Sequence, residues 1–126
     1  MKAFNLTGVL SVLLFILLAG SSCDRASKPL PVLPLDQLPA ALEKAFTKAE
    51  AETKELAGSV VASVRSQDYA KASLSLQSLL GKPNLSREQK DVTARGIITV
   101  HDALEAAQAN GDAAAAQTLQ KLQRDK

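Results

Sequence analysis

The sequence predicts an all-α domain: three to four antiparallel helices, paired as two αα-hairpins in a small bundle, behind a signal peptide and a proline-rich linker. Three observations predict it. After Leu38 the composition turns to alanine, leucine, glutamine and charged residues, which are good helix formers. Apolar residues in that region recur at three- and four-residue spacing, the period of one helix face. Stop and cap signals punctuate the pattern near residues 66–68, 81–86 and 110–112. No stretch shows the alternation and β-branched enrichment of a strand.

The first helix is expected from Pro39 to about Ser66, because proline suits the first helical position. Leu42, Phe46, Ala49, Thr53, Leu56, Val60 and Val64 form its apolar stripe. Gly58 costs about 1 kcal/mol against alanine and marks either a bend or a close helix contact. Asp68 then caps a second helix, Tyr69 to Leu80, with Tyr69, Ala72, Leu76, Leu79 and Leu80 on one side. Gly81, Pro83 and Asn84 stop it. Ser86 and Gln89 have capping-box spacing and start a third helix that runs to about Ala109. Its expected core stripe is Ala94, Ile97, Ile98, His101, Leu104 and Ala107, with Gly96 beside it to permit close approach. Asn110 and Gly111 tolerate the left-handed conformation that ends a helix. Asp112 caps a short last helix bearing Ala115, Ala116, Leu119 and Leu122. The helical domain is thus expected at residues 38–123, with a small core, modest stability and scope for self-association.

A faint internal repeat links QDYAKA at 67–72 to GDAAAA at 111–116. The segment Asp68-Tyr69-Ala70-Lys71-Ala72, with Leu76 and Pro83 downstream, resembles the second helix of a tetratricopeptide repeat. The resemblance covers about 16 residues and implies hairpins stacked in a TPR-like manner; the offset of 44 and the missing first-helix signature depart from that family.

The chain begins with one basic residue, Lys2, then an uncharged apolar run from Leu6 to Ala19, then Gly20, Ser21 and Ser22. Basic start, apolar middle and small-residue exit are the layout of a secretory signal, expected at residues 1–22. The run is short of the roughly 20 residues that a helix needs to cross a bilayer. Cys23, the single cysteine, follows directly, so no disulfide can form within one chain. A small residue before cysteine at the end of a signal resembles the lipobox of bacterial lipoproteins. The match departs from the usual pattern, with Gly20 where leucine is preferred. The resemblance implies that Cys23 becomes the first mature residue and carries a lipid anchor on its sulfur. The alternative is an ordinary signal-peptidase site, with Ala19 and Ser21 as the small pair and cleavage before Ser22. Residues 24–37 hold Pro29, Pro31 and Pro34, which favour extended polyproline II and suit a tether of about 40 Å. Residues 23–37 are therefore expected to be lipidated cysteine and tether.

Charge excludes other classes. There are 15 Lys and Arg against 13 Asp and Glu, interspersed along the chain. Beyond the signal only Phe46 and Tyr69 are aromatic, so neither a basic nucleic-acid patch nor a stacking platform is present. His101 is the sole histidine; it reads as a part-buried structural residue, with Asp102 pointing elsewhere at one-residue spacing. No catalytic residue, metal site or cofactor is expected. What remains is a surface. Ser73, Ser75, Gln77 and Ser78 are expected to face away from the leucines of the second helix, and Gln108, Gln117, Gln120 and Gln123 decorate the later ones. The candidate interaction surface is Ser73, Gln77, Gln108, Gln117 and Gln120. The expected function is a membrane-tethered, non-enzymatic interaction or scaffold module of the bacterial cell envelope, with an unidentified envelope protein as partner. The alternative is a small periplasmic binding protein for an apolar ligand or lipid, held in a cleft beside alanines such as Ala72 or Ala94.

Overall fold

The computed structural model describes residues 30–126; the expected signal, Cys23 and the first part of the tether lie outside them. Among the described residues there are five helices and no strand. They are α1 (Leu38–Ala45), α2 (Ala51–Arg65), α3 (Tyr69–Leu80), α4 (Arg87–Ala109) and α5 (Ala113–Arg124). None is long and apolar enough to cross a membrane. Each helix packs on the next one except that α1 also packs on α4 and α3 on α5. The two helix–turn–helix pairs, α2/α3 and α4/α5, meet along α3, which is the centre of the core. Ala72, Leu76 and Leu79 of α3 are completely buried there.

The first expected helix is two helices. Residues 46–49 turn between α1 and α2, although the apolar stripe runs through them in phase. Side chains make the break. The Thr47 hydroxyl reaches the Glu43 and Lys44 carbonyls at 2.8 and 3.1 Å. Gln89 Nε2 donates to the Ala45 carbonyl at 3.1 Å. These donors satisfy the carbonyls that a continuing helix would have used. Phe46, at the bend, is buried. Gly58 marks neither a bend nor a close contact: α2 is continuous through it, and nothing lies within 4 Å of where a side chain would begin.

The caps follow the sequence closely. Asp68 accepts from the Lys71 amide, and Asp112 from the amides of Ala114 and Ala115. Ser86 and Gln89 form the full capping box. Gln89 therefore starts α4 with its oxygen and ends α1 with its nitrogen.

The repeat at an offset of 44 is present in the backbone. After α2, the Asp68 amide donates to the Ser63 carbonyl at 2.8 Å and that of Gln67 to Val64 at 3.1 Å. After α4, the Asp112 amide donates to Ala107 and that of Gly111 to Gln108, both at 3.0 Å. Both are Schellman turns, with a left-handed residue at the same place. Gly111 fills that place in the second turn at φ 89°, but Gln67 fills it in the first at φ 61°. A side chain there costs about 1–2 kcal/mol, part of which glycine returns through its freer unfolded chain. Gln67→Gly is expected to stabilise the domain by about 0.5–1 kcal/mol, read as a raised urea midpoint at unchanged slope.

The buried face of α4 is rotated from the expected stripe. Val92, Thr93, Gly96, Thr99, Val100 and Leu104 are buried. Ala94, Ile97 and His101 are only half-buried, and Ile98 is 48% exposed. Hydroxyls explain how threonines enter the core: Thr93 Oγ1 donates to the Gln89 carbonyl at 2.7 Å, which removes the cost of burying it. Gly96 provides the close approach, because a side chain there would begin 3.0 Å from Leu38 Cδ1 and 3.2 Å from Leu76 Cδ2. Leu80, expected inward on α3, is 42% exposed at that helix's end.

The second half of the segment expected as tether packs with the helices. Residues 31–37 belong to the same unit as the helices, Pro31–Lys126. Leu33 is 6% exposed, and Thr99 Oγ1 donates to its carbonyl at 2.5 Å. Arg95 Nε donates to the Pro31 carbonyl at 2.8 Å. Proline chains lack internal hydrogen bonds, so their carbonyls are free to accept such side chains.

The loop from α3 to α4 is held at two points. Leu85 is buried, and Lys82 pairs with Glu52 at the start of α2. The hydrogen bond and charge of Lys82 hold the Glu52 carboxyl below its ordinary value of 4.5. A lowered folded-state value means that the pair favours folding above that pH and fades as pH falls through the lowered midpoint. Glu52 is exposed, so the contribution is weak and screened by salt. Lys82→Gln is expected to return the Glu52 titration, followed by NMR, to the ordinary carboxylate range.

Candidate functional site

Three helices build one cleft. Ser73 and Gln77 come from α3, Ile97, Ile98, His101 and Asp102 from α4, and Leu122 and Gln123 from α5. Asp125 and Lys126 close its end, and its volume is about 430 Å³. It forms because α4 turns its large aliphatic residues away from the core. Gly96 and the threonines let α4 lie close on Leu38 and Leu76, which leaves Ile97 on the flank and Ile98 outside. Leu122 of α5 is half-buried across from them.

The structure divides the five expected surface residues. Gln77 is exposed at the cleft. Ser73 also lines the cleft but is 5% exposed, so it is floor and not surface. It precedes Leu76 by three residues and so shares the buried side of α3. Gln108, Gln117 and Gln120 are exposed on α4 and α5 but do not line the cleft. Gln120 lies in a shallow depression with Gln123 and Arg124, and Gln123 also borders the cleft. Cys23 lies outside the described residues.

Ile97, Ile98 and His101 were expected in the core, and their place at a cleft was not readable from period alone. The signal is Gly96 together with Thr93 and Thr99, a second stripe of small residues adjoining the first on α4.

His101 Nδ1 lies 3.7 Å from Glu105 Oε1, one turn along α4. Asp102 does not point elsewhere: single ligand atoms of His101, Asp102 and Glu105 all lie within 4.8 Å of one another. Adjacent helical residues point about 100° apart, but a carboxylate at the end of a rotatable side chain can swing back. Asp102 and Glu105 are exposed and His101 half-exposed, so the group could hold a cation from one side only.

A second, smaller groove lies between α1 and α2. Leu42, Phe46, Ala57, Gly58 and Val61 line its apolar part, Glu43 and Lys54 are at its rim, and its volume is about 300 Å³. Ala72, expected beside a ligand cleft, is fully buried, and Ala94 lines neither space.

Comparison of the chain with protein-family models, with curated proteins and with solved structures finds no match.

Proposed function

We propose that this chain is a membrane-tethered, non-enzymatic interaction module of the bacterial cell envelope, and that it receives a protein partner in the cleft of α3, α4 and α5. The lipobox-like run before Cys23 supports the tether, and the paired helix–turn–helix units support a TPR-like mode of presentation. The observation that carries the reading is Ile98, 48% exposed beside half-buried Ile97 and Leu122. Exposed Gln77, Gln123 and Asp102 surround this apolar strip. Apolar contact at the centre with a polar rim is how protein interfaces are built.

The test is a photo-crosslinking residue at Ile98, activated in the native envelope, with the same residue at Lys71 as control. The reading expects one discrete protein adduct at Ile98 that is lost when Leu122 is changed to Asp. Equal, diffuse adducts at both positions would remove the cleft from consideration.

The second reading, a binder of an apolar ligand or lipid, draws on the α1–α2 groove. Its walls are apolar, and Gly58 leaves it open. Native mass spectrometry decides it: bound lipid, displaced by Gly58→Leu, favours this reading, and an unliganded mass does not.

A further inference from the structure

We propose that the edge of α4 bearing Arg95 and Thr99 is a reading site for extended, proline-containing protein segments, and that the strap of residues 31–35 is its resident occupant. The proposal needs neither the lipid tether nor the cleft of α3, α4 and α5. Both side-chain hydrogen bonds from α4 go to strap carbonyls: Arg95 Nε donates to Pro31 at 2.8 Å and Thr99 Oγ1 to Leu33 at 2.5 Å. Neither bond uses a strap amide, so proline, which has none, is accepted without loss. Asp91, one turn earlier on α4, lies 3.6 Å from Arg95 Nη1 and steers the guanidinium. The strap side chains alternate between the site and solvent. Leu33 is buried and Leu35 half-buried, whereas Val32 is 71% exposed and Pro34 is exposed. Bonds to the main chain with places for alternate side chains are how extended segments are recognised.

The two spacings match. Arg95, Thr99 and Ala103 are four residues apart on α4, a rise of about 6 Å at each step. Pro31, Leu33 and Leu35 are two residues apart, also about 6 Å at each step in polyproline II. One turn of α4 therefore reads two residues of an extended chain. The edge continues beyond the strap. Leu35 borders a depression of about 560 Å³ together with Tyr69 of α3 and with Ala103 and Ala107 of α4. The strap turns away at this point, because the Gln37 and Leu38 amides close on the Pro34 carbonyl at 3.0 and 3.1 Å. A partner segment without that turn runs on past Ala103 and gains contacts that the strap lacks. The strap is thus a placeholder that a longer segment of the same kind displaces.

The probe is the peptide PVLPLD, residues 31–36, acetylated and carrying a fluorophore at its other end. It is titrated with the full-length protein in detergent and followed by fluorescence anisotropy. Leu33→Asp puts a charge in place of the buried anchor and vacates the site. The probe is expected to bind this variant at least about tenfold more tightly than wild type, because the tethered strap competes at an effective concentration on the order of millimolar. Adding Thr99→Val to Leu33→Asp is expected to weaken binding about fivefold, the loss of one hydrogen bond. A probe with aspartate in place of its first leucine is expected not to bind. Circular dichroism checks helicity in each variant. Where Leu33→Asp does not fold, Leu33→Ala empties the site without a charge, and excess probe is expected to raise its melting temperature. A helical Leu33 variant that takes up no probe overturns the proposal, and the strap is then ordinary core. Equal binding to wild type and Leu33→Asp, or equal binding with and without Thr99→Val, overturns it as well. The cleft reading, tested at Ile98, stands in each of these cases.

Discussion

Phe46→Ala lowers the stability of the helical domain by about 3–5 kcal/mol, the range for a fully buried phenylalanine cut back in a core. Phe46 is 1% exposed and sits where α1 turns into α2. Its ring joins α1 to the rest of the core, and it also borders the α1–α2 groove. Truncation enlarges that groove instead of letting the site collapse, because the Thr47 and Gln89 hydrogen bonds hold the bend in place. A domain of this size has about 5–15 kcal/mol in total, so the loss is a large fraction of it. The melting temperature followed by circular dichroism is expected to fall by at least about 12 °C. A shift of only a few degrees would mean that α1 is a peripheral turn and not part of the cooperative core.

Gly96→Val is expected to cost about 2–3 kcal/mol through overpacking. The first added carbon already meets Leu38 Cδ1 at 3.0 Å and Leu76 Cδ2 at 3.2 Å. Both leucines are completely buried, so two further carbons have no free volume to enter. Their relief requires α4 to move away from α1 and α3. Gly58→Ala is the internal comparison. It sits in an exposed helix interior with nothing within 4 Å, and alanine there is expected to stabilise by about 0.5–1 kcal/mol. Urea titration of the two variants reads opposite signs from two helical glycines. A similar loss at both would contradict the close packing of α4.

These two glycines show what the sequence makes legible. Helix content, the caps at Asp68, Ser86 and Asp112, and the ends of α3 and α4 follow from local chemistry that acts within four residues. The break between α1 and α2 does not, since one of its donors, Gln89, lies 44 residues away. Neither does the rotation of α4. Size and hydrophobicity favoured Ile97 and Ile98 as core, but the bundle selected Gly96, Thr93 and Thr99, whose small or self-satisfied side chains allow closer approach. The candidate cleft is a product of that choice, so of its lining only Ser73, Gln77 and Gln123 are legible in the sequence as surface, and Ser73 is buried as floor. The proline segment read as a free tether because nothing local in residues 31–37 announces Arg95 and Thr99 as partners.

The proposed tether at Cys23 underlies the proposed compartment and the partner search. The most direct measurement is the intact mass of the mature protein extracted from native membranes. The account predicts a chain starting at Cys23 with diacylglycerol and acyl mass added. An unmodified chain starting at Ser22 would contradict it, and Cys23 would then be a free thiol on an untethered exported protein.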